Sequence, residues 1–116
     1  MRAGLNLLSK LQQEHGFVVI VVILPAFNAR FDEYQFSHVH EEVFRSAEDL
    51  SGIVVIDLLQ SFARVDNNAK KFSYDGIHMN EFGHEVMAKI LLPIIQKFKA
   101  GASQKHFLSD ATMRER

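Results

Sequence analysis

Apolar residues in this chain fall into two kinds of block, helical stripes and unbroken β-branched runs. Leu5, Leu7, Leu8 and Leu11 share much of one face at helical spacing, and Gly16 offers a stop. The pattern predicts an amphipathic helix over 2–15. The run 17–24, FVVIVVIL, is β-branched almost throughout and ends at Pro25. A strand apolar on both faces belongs inside a parallel sheet covered on both sides, and proline ends it for want of a backbone donor. After a loop over 26–32, Phe36, Val39, Val43, Ala47 and Leu50 recur near a 3.6 period, with Glu41, Glu42, Arg45, Glu48 and Asp49 mostly opposite. That predicts a helix over 33–50, closed by Ser51 and Gly52.

Ile53, Val54, Val55 and Ile56 form a second short buried strand ending at Asp57. Strand, helix and strand make a βαβ unit with parallel strands. Residues 58–62 suit a single helical turn, and 63–74 reads as a polar loop with a turn at Asn67 and Asn68. Asn80 can cap the next helix, whose apolar face is Phe82, Val86, Ile90, Ile94 and Phe98. Pro93 is expected to kink that helix or split it near Leu92. The expected domain is 1–100, followed by a flexible tail over 101–116. Two strands are a thin sheet for three amphipathic helices. Strands preceding this sequence, or a second copy of the chain, would complete the open edge.

Composition narrows the function classes. The chain has 116 residues, 47% of them apolar, so it can bury one small core. Its net charge is −1 with scattered Lys and Arg, which gives no basic stripe for nucleic acid. The longest apolar run is too short for a membrane-spanning helix. There is no cysteine, which removes disulfides, thiolate zinc sites and a Cys nucleophile together.

The candidate chemistry is Asp75-Gly76-Ile77-His78, followed by Met79-Asn80-Glu81-Phe82-Gly83-His84. An imidazole can serve as general base while a carboxylate fixes its tautomer. Asp75 and His78 sit after the second strand, within reach of the sheet's carboxyl rim, where α/β folds bind ligands. A metal reading would join Asp75, His78 and His84, or His38, His40 and Glu41. Residues two apart on a helix do not share a face, and a zinc hydrolase needs three aimed ligands, so neither metal nor cofactor is expected. Asp57 is read as a strand-end cap, with pocket lining as the alternative. Phe27, Phe31, Tyr34 and Phe36 are read as core rather than an acyl-binding wall.

The 75–84 block resembles the last sequence block of the SGNH/GDSL hydrolases. The strand ending in Pro25, the helix and the run Ile53-Val54-Val55-Ile56-Asp57-Leu58 are similar to the second half of such a domain. The resemblance covers 5–98. It implies a flavodoxin-like three-layer α/β/α fold with a parallel sheet, of which this chain holds the C-terminal half, about two strands and three helices. It implies hydrolysis of esters or acylated small molecules and sugars, with His78 as general base and Asp75 as its orienting partner. The family's Gly-Asp-Ser nucleophile block has no counterpart here. None of Ser9, Ser37, Ser46, Ser51, Ser61, Ser73, Ser103 and Ser109 stands on a strand-to-helix turn with small neighbours. The expectation is a chain with the base and its orienter but without the serine, inactive alone.

Overall fold

The computed structural model describes residues 2–100 and 113–115. The element order is α1 (Arg2–His15), β1 (Val19–Ile23), α2 (Ser37–Ala47), β2 (Ile53–Asp57), α3 (Leu59–Val65), α4 (Glu81–Ala100) and β3 (Met113–Glu115). Short 3-10 turns occupy Phe31–Glu33 and Ala69–Phe72. The chain is mixed α/β, built on one parallel strand pair.

β1 and β2 pair in parallel, from Val19 opposite Ile53 to Ile23 opposite Asp57. Both strands therefore end at the same rim. β3 pairs antiparallel with the other side of β2, Val54 opposite Glu115 and Ile56 opposite Met113. The rest of the expected tail lies outside the described residues. Among the described residues β1 has a strand on one side only. β2 is accordingly buried from Ile53 to Ile56, whereas β1 is half-buried from Val19 to Val22.

Alternation along the strands divides the core in two. Val19, Val21, Ile23, Ile53 and Val55 pack with Leu5 of α1 and with Phe44 and Ala47 of α2. Val18, Ile20, Val22, Val54 and Ile56 pack with Phe62 of α3, Phe72, and Val86 and Phe98 of α4. Each fully buried Ile or Val of β2 contributes up to about 1.5–3 kcal/mol of transfer free energy. The two apolar faces are what a strand pair without polar alternation requires.

Several elements depart from expectation. The helix predicted over 33–50 is shorter, because a 3-10 turn precedes it and Tyr34 and Phe36 lead into it from outside. Its buried face is His40, Phe44 and Ala47, with Val43 partly covered, while Val39 is 47% exposed. The turn at 58–62 grows into α3, capped by Asp57 Oδ1, which accepts from Leu59 N at 2.9 Å. The stretch 63–74 is not a plain polar loop, since Ala69 and Phe72 are fully buried. α4 is not split at Pro93, which lies inside it. Proline removes one helical bond, but apolar anchors on both sides of it, Val86 and Phe98, hold the helix to the same cluster. No helix among the described residues is long and apolar enough to cross a membrane.

Candidate active site

Asp75 and His78 lie on a turn closed by its own polar groups. Tyr74 N donates to His78 O at 3.1 Å, and Ser73 pairs with Met79 as an antiparallel bridge. Inside it, Ser73 Oγ donates to His78 O at 2.7 Å and accepts from Gly76 N at 2.8 Å. Asp75 Oδ1 accepts from Ile77 N at 2.9 Å and His78 N at 2.7 Å. That leaves Oδ2 for the ring, 2.6 Å from His78 Nδ1. A carboxylate at Nδ1 favours the proton there and leaves Nε2 as the basic nitrogen. The imidazole side chain is 77% exposed, so Nε2 is open to an incoming group.

The same bonds hold Asp75 in its charged form. The His78 backbone N–H, the His78 ring and the Ile77 N–H together pull its carboxyl well below the usual carboxylate range. A depressed folded-state pKa contributes stability above the unfolded value, 3.8, that is lost as pH falls through the folded one. Asp75→Asn keeps an acceptor for the backbone donors but cannot accept from the ring. The difference in urea midpoint between wild type and Asp75→Asn should be largest above pH 5 and shrink steadily below pH ~4. A difference independent of pH would show that the carboxylate charge is not what the turn uses. The lowered Asp32 and Asp66 titrate alike in both proteins and cancel from the comparison.

The turn is seated on the rim of the strand pair. Phe27 N, in the loop after β1, donates to Gly76 O at 2.8 Å. Gly76 has φ +90°, and a Cβ there would press on Asn28 Cβ at 3.1 Å, so glycine suits both the conformation and the approach. On the far side, Asn80 N donates to Phe72 O at 2.9 Å, and Asn80 Oδ1 accepts from Gly83 N at 2.8 Å. The expected cap is therefore present. Below the turn, Phe72 packs edge-on to Phe62 at 4.9 Å and stacks on Phe82 at 5.3 Å. Phe27 and Phe31 complete this aromatic floor as core residues, whereas Tyr34 is only partly buried and Phe36, also expected in the core, is 40% exposed.

Comparison of the chain with protein-family models, curated proteins and solved structures finds no match.

The other candidates scatter. His84 is an exposed residue of α4, and His38 is exposed while His40 is buried. Among the described residues no three His, Asp or Glu side chains converge on one point. No described serine hydroxyl is bonded to the His78 imidazole; Ser73 instead holds the turn's backbone. Beside the turn, Asn28, Ala29, Glu33, Tyr34, Gln35 and Phe36 line a cavity of about 230 Å³. Neither Asp75 nor His78 lines it.

One polar cluster was not anticipated from the residues. His40 Nδ1 lies 2.8 Å from Asp57 Oδ2, and His40 Nε2 lies 2.8 Å from Tyr34 Oη. The only sequence signal is that His40, Phe44 and Ala47 share one helical face, which makes His40 a core position.

Proposed function

We propose that this chain is the C-terminal portion of an SGNH/GDSL-type serine ester hydrolase, with a flavodoxin-like α/β/α arrangement. The observation that carries the reading is the 2.6 Å contact between Asp75 Oδ2 and His78 Nδ1 on a turn with an exposed imidazole. Seating of that turn on the rim where both strands end supports it. In the intact enzyme Nε2 of His78 takes the proton of a serine as that oxygen attacks the ester carbonyl. The imidazolium, steadied by Asp75, then returns the proton to the leaving alcohol. The substrate is an ester, such as an acylated small molecule or carbohydrate. The serine and its oxyanion donors come from a segment outside this sequence.

The chain alone is expected to be inactive. Assayed on a short-chain nitrophenyl ester, it should hydrolyse no faster than His78→Ala. Robust turnover that disappears in His78→Ala would refute the missing-serine half of the reading.

A second reading rests on β1, which among the described residues has one neighbouring strand and half-buried side chains. It is a non-catalytic module that pairs through that edge with a second copy. The mass in solution separates the two: a monomer at all concentrations argues against self-assembly.

A further inference from the structure

The partly buried cluster of Tyr34, His40 and Asp57 has no part in the proton transfers above, yet it connects to the turn proposed to perform them. Asp57, the last residue of β2, uses both carboxylate oxygens. Oδ1 caps α3 at Leu59 N, and Oδ2 holds His40 Nδ1 at 2.8 Å. His40 is 5% exposed, within α2, and its ring meets the Tyr34 ring edge-on at 5.3 Å. Its Nε2 reaches Tyr34 Oη at 2.8 Å, and that oxygen accepts from Ala26 N at 3.0 Å.

One proton arrangement satisfies every member. His40 donates from Nδ1 to Asp57, accepts at Nε2 from the Tyr34 hydroxyl, and the phenol oxygen accepts from Ala26 N–H. Burial raises the Tyr34 pKa, which keeps the phenol protonated and able to donate.

The end point of this chain matters. Ala26 and Phe27 belong to the loop between β1 and the 3-10 turn at Phe31, a stretch without regular structure of its own, and Pro25 offers no donor. Two consecutive backbone N–H groups of this loop are tied down. Ala26 N is held by Tyr34, and Phe27 N holds Gly76 O of the candidate turn at 2.8 Å. The cluster thus grips one peptide of the loop, and the next peptide grips the turn.

We infer that Asp57, His40 and Tyr34 are positioning residues for Asp75 and His78, acting through the loop at Ala26 and Phe27. The inference rests on the reading of Asp75 and His78 as orienter and base. A buried histidine satisfied only for the sake of the core would have its effects end at Tyr34. A positioning network passes them to the turn, which none of its three side chains touches by a hydrogen bond.

The test follows nuclear magnetic resonance signals of the full chain. Tyr34→Phe removes only the hydroxyl and keeps the ring over His40. Amide exchange at Ala26 and Phe27 should accelerate about fivefold or more, as loss of one hydrogen bond implies. The ¹⁵N shifts of the His78 ring should also move away from the Nδ1–H form toward the tautomer mixture of a free imidazole. If Tyr34→Phe does not fold, Asp57→Asn is read the same way, since it keeps an acceptor for Leu59 N but presents an amide that can turn the His40 tautomer over. Faster exchange at Ala26 with Phe27 and the His78 ring unchanged overturns the inference. Asp75→Asn measured in parallel separates the two claims. If it leaves the His78 ring signals unmoved, the dyad itself is wrong. If it moves them while Tyr34→Phe does not, only the positioning role is lost.

Discussion

Phe72→Ala should cost about 3–5 kcal/mol of folding stability, the range for truncating a fully buried phenylalanine. A domain of this size carries roughly 5–15 kcal/mol in all, so the variant should be close to unfolding at 37 °C. Phe72 has no exposed surface, and its ring meets those of Phe27, Phe31, Phe62 and Phe82. Truncation removes transfer free energy and the dispersion contacts of four rings that cannot all move inward. The site is touched as well, because the Phe72 carbonyl accepts from Asn80 N at the start of α4. Urea unfolding checks this: the midpoint should fall with an unchanged slope. A loss below ~1 kcal/mol would mean that the aromatic floor collapses around the gap and is not the rigid base described. Phe72→Leu, which fills most of the space, should recover the larger part.

The second large effect is expected at Gly83. This glycine lies in the first turn of α4, where a Cβ would collide with the Phe72 carbonyl oxygen and approach Met79 Cβ at 3.1 Å. The obstacle is backbone, so no rotamer change relieves it. Gly83→Ala should cost about 1–3 kcal/mol through overpacking. Another ~1 kcal/mol is at risk if the displaced carbonyl disturbs the Asn80 cap, whose side-chain oxygen accepts from Gly83 N. In an ordinary helix interior the same change would stabilise, since alanine is the better helix former. The sign of the change in urea midpoint therefore decides whether α4 and the preceding turn touch as closely as described. A neutral or stabilised Gly83→Ala would show that they do not.

The strand pair was legible because its signal is simple. Uninterrupted β-branched residues ending at Pro25 and at Asp57 leave little choice of element, and the intervening helix forces a parallel crossover. The Asp75 and His78 pairing was legible because three residues on a turn keep two side chains within reach. His40 was harder to read: it shares a helical face with Phe44 and Ala47, but a histidine inside a charged helix is ordinarily counted as polar. Only the rotation of α2 that brings His40, Phe44 and Ala47 inward places it in the core. That rotation is set by packing on the strands rather than by the helix's own sequence. Phe72 was missed for a related reason. It follows Lys70 and Lys71 in a polar stretch, and a single buried ring has no period to reveal it. The persistence of α4 through Pro93 shows tertiary anchors outweighing a local breaker.

The turn's internal hydrogen bonds run between residues two to five apart, and this has a consequence for the order of assembly. Closing so short a loop takes little entropy, so the carboxylate and imidazole can be set before any distant segment arrives. Under the proposed reading, a fragment that brings a serine to this rim would meet a base already aimed. Complementation in trans becomes a question of docking affinity rather than of rebuilding the dyad.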